Sequence, residues 1–155
     1  MVTNYPDAKH GDALEVGAEF LDFVMIQLRK YGLYLQPLTS RKNQYEIGES
    51  LNGWEVKLDN RFTETRRLSI EIAEKTRANN TEWIPSGIYR NDNTWLYIQG
   101  NFEYFYLFSK KWLRMLHDTN KYQVDERHPT IKKFYLPIPD ADKYCVLKVI
   151  SVDMK

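Results

Sequence analysis

Two periodicities divide this chain. Between Ala13 and Tyr31, Leu14, Gly17, Leu21, Val24 and Leu28 recur at alternating intervals of three and four. That spacing puts them on one stripe of a helix. Gly11-Asp12 opens the helix, with Asp12 as N-cap, and Gly32 closes it. Residues 1–10 precede it as a flexible arm. A period of two then takes over. Trp54, Val56 and Leu58 alternate with Glu55, Lys57 and Asp59, and Leu68, Ile70 and Ile72 alternate with Ser69, Glu71 and Ala73. Successive side chains of a strand point to opposite faces, so each segment reads as a strand with one apolar and one polar face. The polar, arginine-rich turn Asn60–Arg67 joins them as a central hairpin.

Shorter runs complete the pattern. Strands are predicted at Leu33–Leu38, Tyr45–Glu49, Asn93–Gln99 and Glu103–Phe108, and later at Phe134–Ile138 and within Lys143–Val152. Ser109 caps a short helix over Lys110–His117. Asp118–Lys133 reads as an irregular, charged insertion. The sum is one α/β domain over residues 1–155, a central mixed β-sheet flanked by helices.

At 155 residues the chain is long enough for one substantial core, and 43% hydrophobic against 28% charged residues excludes a disordered chain. A net charge of +1 argues neither for nor against a nucleic-acid partner. It leaves room for a nuclease, in which acidic metal ligands offset a local basic groove. The single cysteine, Cys145, rules out an internal disulfide and a cysteine-rich zinc site, and suits a reducing compartment. The three histidines show no paired ligand spacing. No apolar run approaches a membrane span and no signal peptide opens the chain. A cytoplasmic protein without a membrane partner is expected.

If the polar faces of the two central strands coincide, Lys57, Asp59, Glu71 and Lys75 converge. Two carboxylates beside a lysine suit metal-assisted phosphodiester cleavage. Mg²⁺ needs only one or two protein carboxylates plus a substrate phosphate, and a lysine can orient water or offset developing charge. The same alternation also describes a half-solvated antiparallel strand with cross-strand ion pairs. Arg61, Arg66 and Arg67 form either a phosphate clamp or a solvated hairpin tip. Lys110 and Lys111 lie on a helical face that could meet a nucleic-acid backbone, or only water. Ser86-Gly87 is either a plain turn or a point of close backbone approach.

EVKLD (55–59), LSIEIAEK (68–75) and PSGI (85–88) together resemble the PD-(D/E)xK nuclease superfamily, and within it a phage-type branch pairing E-[VI]-K-x-D with [IV]-E and a following SGI element. The resemblance covers roughly residues 10 to 115 and leaves 118–155 as an extension outside it. It implies a restriction-endonuclease-like α-β-β-β-α-β core and a Mg²⁺-dependent endonuclease acting on DNA, with Mn²⁺ as a substitute ion. Asp59 matches the strand aspartate and Glu71 the first residue of the (D/E)xK triplet. The triplet's lysine position holds Ala73, so Lys57, or else Lys75, would take its role. An acid from the first helix completes such sites, which implies Glu15 first and Glu19 second. Ser86 and Gly87 would lie beside phosphate. Cutting both strands of a duplex would favour a twofold homodimer. The alternative is a catalytically inactive nucleic-acid- or protein-binding module on the same fold.

Overall fold

A computed structural model describes residues 5–151, with side chains from residue 14 onward. Helix α1 spans Tyr5–Arg29. The arm expected over residues 1–10 is therefore helical from Tyr5, and residues 1–4 lie outside the described residues. Asp12 lies inside the helix and is not its N-cap. Phe20, Val24 and Leu28 form the buried stripe, while Leu14 at the upstream end is 59% exposed. Gly32, at φ +71°, ends the helix: its N–H donates to the Arg29 carbonyl and the Leu33 N–H to that of Leu28. These are the paired bonds of a Schellman cap, for which glycine supplies the left-handed residue.

Helix α2 (Arg41–Glu46) replaces the strand expected at Tyr45–Glu49. Ser40 Oγ accepts from the Asn43 N–H at 3.1 Å, capping a run of helix-tolerant polar residues. The strand expected at Leu33–Leu38 is reduced to one bridge, Pro37 to Ser50. Proline lacks the N–H a longer ladder would need. The chain continues through β1 (Trp54–Leu58), α3 (Phe62–Thr65), β2 (Arg67–Glu74), β3 (Ile84–Pro85), a 3₁₀ turn at Gly87–Tyr89, β4 (Leu96–Gly100) and β5 (Tyr104–Ser109). It closes with α4 (Lys110–Asp118), β6 (Val124–Asp125), β7 (Ile131–Pro137), α5 (Ile138–Tyr144) and β8 (Leu147–Ile150).

The protein is mixed α/β, but its strands form two four-stranded sheets instead of one central sheet. The first, ordered β1-β4-β5-β8, is mixed: β1 runs parallel to β4 and the other pairs are antiparallel. The second, β3-β2-β7-β6, is antiparallel throughout. The expected β1–β2 hairpin does not form. Phe62, fully buried against Tyr104 with ring centroids 4.8 Å apart, draws the connection inward as α3, and Arg66 turns it at φ +58°. The strands then part into different sheets. The stretch from residue 118 to 151 contributes strands to both sheets: β7 is a central strand of the second and β8 an edge of the first.

Alternation on the first sheet feeds two cores. Leu96, Ile98, Phe105, Leu107 and Val149 pack with Phe20, Val24 and Leu28 of α1. Tyr97, Tyr106 and Phe108 pack on the other side with Leu68, Ile70, Phe134, Leu136 and the helices α4 and α5. Sheet one thus lies between α1 and sheet two, and the candidate site sits where the inter-sheet layer becomes polar. Among the described residues, no helix is long and apolar enough to cross a membrane.

Candidate functional site

Parallel pairing of β1 with β4 sets Glu55 beside Tyr97 and Lys57 beside Gln99. Trp54, Val56 and Leu58 pack toward α1, so period two sends Glu55 and Lys57 toward the second sheet. There β2 presents Arg67, Ser69 and Glu71. Beyond β1, Asp59 stitches the sheets together. Its N–H donates to the Gly100 carbonyl at 2.8 Å, and its Oδ2 accepts from the Ser69 N–H at 2.9 Å and Gln99 Nε2 at 3.1 Å. Gln99 Nε2 also donates to the Ser69 carbonyl at 2.7 Å. Lys57, Asp59 and Glu71 accordingly line one cleft of about 570 Å³.

The opposite wall comes from the C-terminal third. Ser69 pairs with Tyr135 and Glu71 with Lys133 across the β2–β7 ladder, and Arg127 follows β6. Counted over its lining, the cleft holds five cations (Lys57, Arg61, Arg67, Arg127 and Lys133) against two carboxylates, Asp59 and Glu71. Three of these cations are paired with carboxylates outside the lining, Lys57 with Glu55, Arg61 with Glu64 and Arg127 with Asp125, whereas Arg67 and Lys133 make no ion pair among the described residues.

Lys57 Nζ lies 3.1 Å from Glu55 Oε1, whose side chain is only 4% exposed. Burial works against the lysine's charge, but the Glu55, Glu71 and Glu49 carboxylates outweigh it and hold the Lys57 pKa above the ordinary lysine value. Lys57 is therefore a cation at neutral pH and cannot serve as a base. Burial and the neighbouring Glu55 push the Tyr97 hydroxyl far above the usual tyrosine range. Burial and the same glutamate raise Glu49. Glu55 Oε2, Tyr97 Oη and Ser86 Oγ are buried with no hydrogen-bond partner among the described residues.

Several expected residues lie elsewhere. Glu15 and Glu19 are exposed on α1, which packs on the far face of the first sheet, so neither reaches the cleft. Lys75 leaves the end of β2 and rests 4.3 Å over the Trp83 ring. Ala73 is 8% exposed, follows the register shift of β2 against β7, and is not among the residues that line the cleft. Arg66 is exposed at its turn but does not line the cleft, whereas Arg61 and Arg67 do. Lys110 is buried: Nζ donates to the Arg90 carbonyl at 2.7 Å and lies 3.2 Å from Asp92 Oδ1. Lys111 is exposed in a separate depression beside Arg90 and Trp95. Ser86 and Gly87 are buried beside Glu71, not open to phosphate. A Cβ on Gly87 would stand 2.1 Å from the Glu71 carbonyl oxygen, so this glycine admits the neighbouring strand.

Glu55, Tyr97 and Gln99 were legible as polar positions of alternating strands, but only the pairing shows that they back the cleft. Arg127, Lys133 and Tyr135 carry no local sequence signature. Among the described residues no three acids or histidines gather at metal-binding distance. The donor set is therefore two carboxylates: that of Glu71, which makes no ion pair or hydrogen bond among the described residues, and Asp59 through Oδ1. No protein-family model, curated protein or solved structure matches this chain.

Proposed function

We propose that this protein is a metal-dependent endonuclease that hydrolyses DNA phosphodiester bonds in the cleft between its two sheets. The observation that carries this reading is the convergence of Lys57, Asp59 and Glu71 from separate sheets on a cleft that Arg61, Arg67, Arg127 and Lys133 also line. The restriction-endonuclease-like fold and PD-(D/E)xK site suggested by EVKLD and LSIEIAEK belong to the same proposal. Two carboxylates, one free of competing partners, fit Mg²⁺ or Mn²⁺, which keep several waters and take few protein ligands when a phosphate completes the shell. Asp59 and Glu71 would hold the ion. When bound, it supplies Lewis-acid polarisation of the scissile phosphoryl group.

The chain's own residues account for the rest. Lys57, locked as a cation by Glu55, donates hydrogen bonds to the attacking water or to a phosphoryl oxygen and offsets the charge that develops there. Glu55-Val56-Lys57 is itself an acid-x-lysine triplet, with Glu55 buried behind the lysine as its positioning residue. Gln99 and the Ser69 N–H hold Asp59 in one orientation, leaving Oδ1 free. Arg61 and Arg67 are placed to bind backbone phosphates.

Plasmid, single-stranded and branched DNA incubated with Mg²⁺ or Mn²⁺ test the reading. Cleavage is expected for the wild type, with losses beyond about a hundredfold in Asp59→Ala and Glu71→Ala, since even residues that merely support a ligand cost 10–100-fold. Cleavage that survives both substitutions would refute the site. The second reading is an inactive nucleic-acid-binding module. The absence of a third acid at the cleft among the described residues and the buried Ala73 favour it. Metal-independent DNA binding without cleavage by the wild type would establish it.

A further inference from the structure

Arg127 stands apart from the surface ion pairs of this protein. Its partner Asp125 is 6% exposed, yet the Arg127 side chain is 79% exposed. Arg127 donates to Asp125 three times: backbone N–H to Oδ1 at 2.8 Å, Nε to Oδ1 at 3.0 Å and Nη2 to Oδ2 at 2.7 Å. The Tyr135 hydroxyl donates to Asp125 Oδ2 as well. These hydrogen bonds hold the Asp125 carboxyl well below the usual carboxylate range. A guanidinium carries five N–H donors in a rigid plane. Two are spent on Asp125, and three remain on a group that is immobilised, exposed and part of the cleft wall.

The Tyr135 ring extends this network. The Arg67 guanidinium lies 3.6 Å from its centroid and Lys133 Nζ 5.6 Å. Arg67, Tyr135, Asp125 and Arg127 therefore form one connected unit joining β2 to the β6–β7 hairpin, with a cleft-lining guanidinium at each end. Along β2, Arg67 stands four residues from Glu71, about 13 Å at strand rise. The unit's Arg67 end is thus well removed from Glu71 and stands two residues along β2 from Ser69, whose N–H holds Asp59.

We propose that Arg67 and Arg127 form a preformed clamp for non-scissile backbone phosphates, so that the C-terminal hairpin sets substrate binding; this rests on the nuclease reading of the cleft. A solvated ion pair would not need a buried carboxylate with four donors behind it. A phosphate clamp gains from it, because donors fixed in advance lose little entropy on binding.

The test measures fluorescence anisotropy of a labelled DNA oligonucleotide across a salt series in EDTA, and then steady-state cleavage with Mg²⁺. Arg127→Ala should weaken binding about tenfold, the loss of a hydrogen bond to a charged group, and reduce the salt slope by about one. KM should rise with kcat nearly unchanged. Arg127→Lys should keep the slope yet lose affinity, because a lysine cannot make the bidentate contact. Asp125→Asn, which keeps the Tyr135 bond but releases the guanidinium, should weaken binding at unchanged slope. Wild-type affinity in both Arg127 variants, or a loss confined to kcat, overturns the clamp while Asp59→Ala and Glu71→Ala still judge the nuclease reading separately. A wild type that neither binds nor cleaves overturns both.

Discussion

Replacing Gly87 by alanine tests how tightly the 3₁₀ turn is locked against Glu71. Gly87 sits at φ +56°, where an L residue incurs about 1–2 kcal/mol. The added Cβ would also lie 2.1 Å from the Glu71 carbonyl oxygen, 2.6 Å from its carbonyl carbon and 2.8 Å from its Cβ. These are backbone atoms and the root of a side chain, so relief requires β2 or the turn to shift, an overpacking cost of about 1–3 kcal/mol. The sum is about 2–5 kcal/mol, a large fraction of the 5–15 kcal/mol that ordinarily separates folded from unfolded states. At this chain length it corresponds to a fall in Tm of about 4–20 °C. Gly32 supplies the control, because its φ is +71° but nothing lies within 4 Å of its Cβ position. Gly32→Ala should therefore show the conformational cost alone, and Gly32→Asn almost none. Gly87→Asn should remain strongly destabilised, since asparagine tolerates the left-handed region but not the overlap. Urea and thermal denaturation of the four variants separate the two contributions. If Gly87→Ala were no more destabilised than Gly32→Ala, the close contact with Glu71 would be refuted. On the nuclease reading, DNA cleavage by Gly87→Ala, assayed well below its Tm, should fall too where the relief shifts β2, which carries Glu71.

The remaining predictions concern charges. Lys110→Ala should cost about 1.5–3 kcal/mol by removing the nearer cation from buried Asp92, which keeps Arg90 Nε at 3.6 Å and the Thr94 N–H at 3.0 Å, while oligonucleotide affinity stays at the wild-type level. Reduced affinity at unchanged stability would instead return Lys110 to the binding surface. Lys57→Met should cost about 1–3 kcal/mol at neutral pH; this is discounted from the cost of breaking a buried pair because the Lys57 side chain is 43% exposed. Since the folded state raises the Lys57 pKa, its contribution is complete below the unfolded value of 10.5 and fades as pH climbs through the folded value. The stability gap between wild type and Lys57→Met should therefore close on the alkaline side, and a gap independent of pH there would refute the pairing. His117 behaves in the opposite sense. Burial lowers its pKa, against the pull of Asp118, so the unfolded chain takes up a proton first as pH falls. His117→Gln should thus remove a loss of stability seen as pH drops below about 6.5, checked by melts from pH 5 to 8 and by NMR titration of the ring.

Much of this architecture was legible in the order of residues. Alternation at Trp54–Leu58 and Leu68–Ile72 determined which side chains would share a face, because strand geometry leaves no other choice. The stripe ending at Leu28 and Gly32, the strands around Gly100-Asn101 and the Ser109 cap are equally local, and their elements formed close to where they were expected. Period two cannot name a strand's partner, however. β1 pairs with β4 and β2 with β7, separated in sequence by about forty and sixty residues. What selects those pairings is burial of both faces of the first sheet, with Phe62 pulled into the core and α1 laid across the outer side. The same choice decided the composition of the cleft. It set Glu15 and Glu19 on the wrong side of a sheet, left Ala73 off the cleft lining and folded Lys110 onto Asp92. It also brought Arg127, Lys133 and Tyr135 from the last third of the chain to face Lys57, Asp59 and Glu71. The sequence by itself determined the faces, through covalent geometry, whereas which faces meet was decided by competition among long-range contacts for a single interior.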